Sequence, residues 1–256
     1  MHYTRLEQSS AAFNKMMEKF GIVTVMNAYV FSTDELLRQA DEGKTITAGL
    51  LTNGFDKYTA DQICKILAEE ANKTTGHDAA YLCKLDTLKT SNITEEGPTK
   101  TVTGGQNSSP LLKFGKTARL EMQDALGNAE ALEALGGMTV EYVEKLGGTK
   151  IALHAGDTFS GPRTILGESF FIDQATGAQV DVYILIYQFL PDSIFNLTQD
   201  AEGDATVFDM NGDLIATAIQ LGTKAGSDGE QATPYQVRNV FYSICDKNHN
   251  HEQEAA

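Results

Sequence analysis

The run Asp209-Met210-Asn211-Gly212-Asp213 places oxygen donors at every second position, as the opening of a calcium-binding loop does. Such a loop needs a glycine at its sixth position to turn and a bidentate glutamate at its twelfth, where this chain has Leu214 and Gln220. The acids read instead as the wet face of a strand. Other reactive groupings fail in the same way. His154 and Asp157 have no nucleophile in their motif, because Ser160-Gly161-Pro162 is not a nucleophile elbow. Gly104-Gly105 lacks both the spacing of a phosphate loop and a helix directly behind it. His249, His251 and Glu252 fall in a tail whose composition predicts fraying. Cys64, Cys83 and Cys245 are far apart, form no CxxC pair and read as reduced thiols. No catalytic residue, metal ligand or cofactor is expected, and the chain reads as a non-enzyme.

A different pattern recurs. Glu121 and Gln123 flank Met122, Asp173 follows Phe171, Asp181 precedes Val182, and Asp209, Asn211 and Asp213 alternate with Phe208 and Met210. Alternation with a period of two marks strands with one dry and one polar face. These residues need a sheet to hold them.

The elements that would supply it can be read along the chain. Leu6, Phe13, Met16, Met17 and Phe20 predict a helix over 1–20 that ends at Gly21. Residues 22–31, IVTVMNAYVF, have the β-branched and aromatic content of a strand. Residues 32–80 then turn polar and helical, with TDELLRQADEG capped at Thr33 and TADQICKILAEEANK capped near Thr59. The second helix puts Ile63, Ile66 and Leu67 on one face. At this length the segment is an insertion projecting from the sheet, since strand connections usually take 2–5 residues. Strand character resumes at Tyr81. KTARLEMQDAL reads as a strand running into a helix capped by Asp124 and stopped at Gly136-Gly137. TKIALHAG, TILGESFFIDQ and AQVDVYILIYQF are three further strands, the last two joined by a turn at 174–177. Residues 182–190, VYILIYQFL, are apolar on both faces, as expected of a strand lying between its own core and a neighbour, with Ile184 and Ile186 as candidate contacts. DATVFDMNGDLIATAIQLG reads as one final long strand, and 234–245 can pair once more.

The fold class is therefore mainly β (α+β), an antiparallel sheet with a helix tucked against it and a helical insertion. Residues 1–31 and 81–256 would form one β-rich domain, and 32–80 the insertion within it. Charge narrows the partners. The chain carries a formal −15, with 4 Lys+Arg against 15 Asp+Glu in residues 151–256. That surface repels nucleic-acid phosphate rather than binding it. The polar opening MHYTRLEQSS has no secretory pattern, and the longest apolar run is far short of a membrane span, so a cytoplasmic site of synthesis and no membrane contact are expected.

Four stretches, taken together, are similar to the major tail tube proteins of tailed bacteriophages. They are LDTLKTSNITEEGPTKTVTGG (85–105), LLKFGKTARLEMQDALGNAEAL (111–132), TFSGPRTILGESFFIDQATGAQVDVYILIYQF (158–189) and FNLTQDAEGDATVFDMNGDLI (195–215). The similarity covers roughly half the chain and lies in order and character rather than in one short signature. Capsid decoration proteins and the tubes of secreted injection systems share parts of it, and the alternative reading is a capsid decoration or baseplate/tail-tip binding module, or the tube of a phage-like injection system. The 32–80 insertion departs from it, being longer and more helical than the hairpin loop expected there. The resemblance implies a fold of two packed antiparallel sheets, sandwich or barrel-like, with a flanking helix, in a structural virion protein whose six copies form a ring in which one sheet per subunit joins a continuous barrel. Rings would stack into a tube that conducts double-stranded DNA without binding it specifically. Partners would be further copies of the chain and other tail proteins, including the sheath or tail terminator, tape measure and baseplate. In that setting Glu121, Gln123, Asp173, Asp181, Asp209, Asn211 and Asp213 are candidates for the wall of the bore. Ile63, Ile66, Leu67, Ile184 and Ile186 are candidates for contacts between subunits, with the subunit's own outer face as the other place open to Ile63, Ile66 and Leu67.

Overall fold

The computed structural model describes residues 22–41, 46–86, 88–97, 99–101, 111–113, 115–124, 129–143, 148–172, 179–192, 208–221 and 236–247. The expected helix over 1–20, the Gly104-Gly105 loop, the 174–177 turn, Asp173 and the histidines at 249 and 251 lie outside them.

Strands dominate, and they pair antiparallel. In chain order they are β1 (Ile22–Ser32), β2 (Tyr81–Leu85), β3 (Leu88–Glu96), β4 (Thr99–Thr101), β5 (Leu111–Lys113), β6 (Thr117–Asp124), β7 (Met138–Val143) and β8 (Thr149–Ala155). There follow β9 (Arg163–Ile172), β10 (Gln179–Pro191), β11 (Phe208–Leu214), β12 (Thr217–Leu221), β13 (Gln236–Val240) and β14 (Tyr242–Asp246). One large sheet runs β2-β1-β9-β10-β11-β6-β3, with β14 also paired to β10. Three ribbons, β4-β5, β7-β8 and β12-β13, accompany it. The mainly β, α+β class with several antiparallel sheets is thus what the chain adopts. Its centre is a single sheet bent around a core.

The bend follows from connectivity. β2 and β3 stand at opposite ends of the strand order, yet residues 86–87 alone separate them in sequence. The sheet can satisfy both conditions by curling until its ends meet. Inside the curl lie Val30, Leu85, Leu120, Met122, Ile186, Phe189, Phe208 and Met210, all buried. Helix α3 (Ala129–Gly136) adds Ala131, Leu132, Ala134 and Leu135. Arg163 on β9 fixes the end of this helix, its Nε donating to the Ala134 carbonyl at 2.7 Å. Gly137 then leaves the helix with φ of 65°, a left-handed value that favours glycine. Asp124 is not the cap expected for it. It closes β6, opposite Phe208 and Leu88, and the helix starts at Ala129.

The other face of β1, β9 and β10 is dry as well. Tyr29, Phe31, Leu166, Tyr183, Leu185 and Tyr187 are covered by the 32–80 segment and by Ile219 of β12. This segment lies down on the sheet, where the sequence reading had it project. It holds one helical turn, α1 (Thr33–Leu36), a 3-10 turn (Phe55–Lys57) and α2 (Ala60–Ala71). Thr59 caps α2 as expected, in a reciprocal pair of hydrogen bonds with Gln62. TDELLRQADEG gives one turn where a longer helix was expected, and its cap is Ser32 rather than Thr33. The chain returns instead: Leu51 N–H donates to the Leu36 carbonyl and Gly49 N–H to that of Arg38. Those carbonyls then need no further helical turn. Leu36, Leu51, Phe55, Ile63, Cys64 and Leu67 are buried in the result.

Glu70 anchors the far end of the segment. Its side chain is 2% exposed, pairs with Lys73, and accepts the Asp78 backbone N–H at 2.6 Å. His77 lies 3.6 Å away and stacks on Tyr81, the first residue of β2. Burial pushes the Glu70 carboxyl up, but Lys73, the Asp78 amide and His77 together outweigh it, and the group lies below its ordinary value.

The expected long final strand over 204–222 is divided. β11 belongs to the large sheet and β12 to a ribbon with β13, and the phase of burial shifts between Leu214 and Thr217. Residues 234–245 pair twice, β13 with β12 and β14 with β10. At Gly212 the main sheet is tight, since a methyl there would run into the Leu190 carbonyl and the Phe189 ring. Gly212→Ala is expected to cost about 2–3 kcal/mol, measured by chemical denaturation. A second expectation concerns acid. A carboxyl with its folded pKa below the unfolded one contributes stability that is full above the unfolded value and lost as pH falls through the folded one. Glu70 is such a group, so the melting temperature should hold from neutrality to about pH 5 and drop below about pH 4. Glu70→Gln should lower stability by about 1–3 kcal/mol at neutral pH and flatten that acid decline.

Candidate functional site

Registers, not sequence spacing, decide which polar residues stand together. Asp209, Asn211 and Asp213 on β11 face Gln123, Glu121 and Arg119 on β6 in turn. On the far side of β6, Glu121 and Arg119 pair with Asn92 and Thr94 of β3, and Glu96 continues the row opposite Thr117. Each intervening residue, Leu120, Met122, Met210 and Phe208, points into the core. Three adjacent strands thus present one continuous polar face backed by packed apolar side chains. It forms because alternation on each strand is in phase with its neighbours.

The face is ordered by its own contacts. Gln123 donates to Asp209 at 2.9 Å. Arg119 bridges Asp192 and Asp213 at 2.9 and 3.1 Å. Glu121, Asp209, Asp213, Asp192 and Glu96 stand there with the Arg119 guanidinium, so the balance of the described side chains is acidic. An extended β11 holds Asp209 and Asp213 in a line rather than wrapped around a point, which suits a surface and not an ion. Among the described residues no group of three or more His, Cys, Asp or Glu could hold a metal. His154 pairs with Glu141 at 3.1 Å across the β7-β8 ribbon, and the Ser160 hydroxyl donates to the Leu135 carbonyl.

Glu121, Gln123, Asp209, Asn211 and Asp213 are therefore brought together. Asp181 is not with them. It sits near the start of β10, where Gln179 donates to it and Phe170 is its partner. β10 meets β11 at Phe189, Leu190 and Pro191, roughly 25 Å further along the strand. Near Asp181 lies a separate node. Glu168 accepts from Lys247 at 2.6 Å, Asn27 at 2.9 Å and Tyr29 at 3.4 Å. Burial raises this carboxyl and these donors lower it further, so it too lies below its ordinary range. Tyr29 and Tyr183 are pushed up to about 12, first by burial and then by the Glu168 charge.

Of the two placements open to Ile63, Ile66 and Leu67, the adjacent ring or the subunit's own outer face, they take the second. Ile63 and Leu67 are fully buried against this chain's own sheet, with Ile66 half-buried beside them. Ile184 and Ile186 are buried too, and the second dry face of β10 is covered by Leu36, Leu51, Phe55, Ile63 and Leu67 of the same chain. None of these four buried residues has surface to offer a partner. A surface that sequence reasoning missed lies on the β7-β8 ribbon. Ile151 is 52% exposed, Leu153 40% and Tyr142 45%, with Phe159 just beyond at 62%. Such apolar side chains in water are the kind of surface that a partner can cover. TKIALHAG was read as one more sheet strand, and its neighbours gave no sign that it would leave the large sheet.

No family model matches this chain, and no curated protein matches it either.

Leu67→Asp should unfold the monomer or weaken it by about 3–5 kcal/mol, because the charge would enter a sealed core. A well-folded Leu67→Asp monomer with a normal melting temperature would show that this side chain is not buried as described.

Proposed function

We propose that this chain is a structural assembly protein, the subunit of a phage tail tube, working in the virion as stacked hexameric rings that conduct DNA during ejection. The observation that carries the reading is the polar face of β11, β6 and β3, acidic in balance and continuous over three strands. The resemblance of residues 85–105, 111–132, 158–189 and 195–215 to tail tube proteins supports it. In a ring this face would line the bore. At physiological salt the field of its carboxylates extends about 8 Å, so it acts near the wall, where it keeps DNA from adhering, and leaves the centre of the channel clear. Glu121, Gln123, Asp209, Asn211 and Asp213 make the wall in this reading. Asp181 stands away from it. Contacts between subunits fall to the β7-β8 ribbon.

Purified full-length protein should form rings or long tubes in negative stain, and a protein that stays monomeric at every concentration would point to a decoration or baseplate module instead. Ile151→Asp with Leu153→Asp should abolish assembly while leaving the melting temperature within about 2 °C, because exposed positions cost little in the monomer. Glu121→Lys with Asp209→Lys should slow DNA ejection from virions of normal tail length. Unchanged ejection would put this face on the outside of the particle.

A further inference from the structure

Two thiols that the assembly reading leaves unused meet beneath the 32–80 segment. Cys64 lies on the inner face of α2, and Cys245 lies on β14 opposite Tyr183. Both are buried in the same apolar cluster, among Ile63, Leu67, Leu185 and Tyr187. α2 packs directly on β14, and the two thiols interact with one another there. The third cysteine, Cys83, is buried in the other core, inside the curl of the sheet. The pair therefore joins two elements far apart in the chain, a helix that covers the sheet and a strand within it.

We propose that Cys64 and Cys245 are a latent disulfide, which on oxidation staples α2 to β14 and locks the 32–80 segment onto the sheet. The inference stands without the tube reading. The two thiols give up two protons and two electrons and one S–S bond forms. A small diazene oxidant takes up both hydrogens and becomes the hydrazine, or a small-molecule disulfide is reduced to two thiols. Burial raises the Cys64 thiol well above its ordinary value, with Cys245 and Asp61 adding to the effect, so little thiolate is present while the segment is closed. Reaction then waits on brief opening of α2, and the staple forms slowly in the native protein and stays shut once made.

The test uses the full chain with Cys83→Ala as a parallel sample. Each is incubated with diamide in buffer and again in urea below the unfolding transition, then alkylated, digested and mapped by mass spectrometry. The expected product is a Cys64–Cys245 crosslinked peptide, formed faster in urea and equally in Cys83→Ala. It should raise the melting temperature by roughly 5–10 °C, reversibly with dithiothreitol. Cys64→Ala should remove both crosslink and shift. Alkylation of both thiols in urea without any crosslink would overturn the proposal, as would crosslinks through Cys83 or a crosslinked protein that melts lower.

Discussion

From Val182 to Tyr187 β10 has water on neither face, and most of the architecture follows from keeping this stretch dry. Val180 and Val182 lie in the small cluster around Phe171, and Ile186 lies against the interior of the curled sheet. Its odd-numbered residues Tyr183, Leu185 and Tyr187 lie against α2, Leu51 and Phe55. Sealing such a stretch on both sides needs two separate covers. The curl with α3 provides one, and the 32–80 segment with β12 provides the other. At roughly 1.5–3 kcal/mol for each large apolar side chain removed from water, these two layers hold the greater part of the burial that stabilises the fold.

Double coverage also explains why the insertion was misplaced by sequence reasoning. The run VYILIYQFL states that both faces are dry, and that was legible. It does not state what dries them. A neighbouring subunit and a segment of the same chain bury Leu185 and Tyr187 equally well, and the pattern of β10 is the same for both. The answer lies in Ile63 and Leu67, whose own helical stripe needed an apolar partner. That stripe and the exposed-looking half of β10 are complementary surfaces in one sequence. Only their match across more than a hundred residues makes the pairing, and no local pattern records it.

Alternation was the most readable signal, and its limits are physical too. Within β6 and β11 the period of two gave the correct inward and outward residues, because one side of each strand faces a core. At Leu214-Ile215 the period slips, two apolar residues in succession, and there the chain leaves the large sheet for the β12-β13 ribbon. The slip was visible as a break in phase but was read through as one strand. Asp124 was misread for a related reason: an acidic residue at the end of a strand and one at the start of a helix look alike until the intervening residues are placed. For the polar face, the members were legible and the grouping was not. Register across β11, β6 and β3 collects five of them and leaves Asp181 out, and register depends on partners distant in sequence.

The charge on that face has a further consequence. Arg119 lies between Asp192 and Asp213 and ties β6 to β11 and to the residue that follows β10, so part of the acidity is spent on holding the surface flat. Gln123 does the same for Asp209 with an uncharged donor. Such exposed pairs add little to global stability, since solvent screens them and ordering the side chains opposes them. Their effect is on shape: they keep long polar side chains lying along the strands instead of reaching outward. A face built to bind phosphate would orient guanidinium groups into solvent, free to fork onto a ligand. Here the one guanidinium described on the face is held between the Asp192 and Asp213 carboxylates, and Glu121 and Asp209 remain at the surface. On the proposed reading this is the chemistry a sliding surface for a polyanion requires: repulsion at short range, no cation presented, and side chains held close to a rigid sheet.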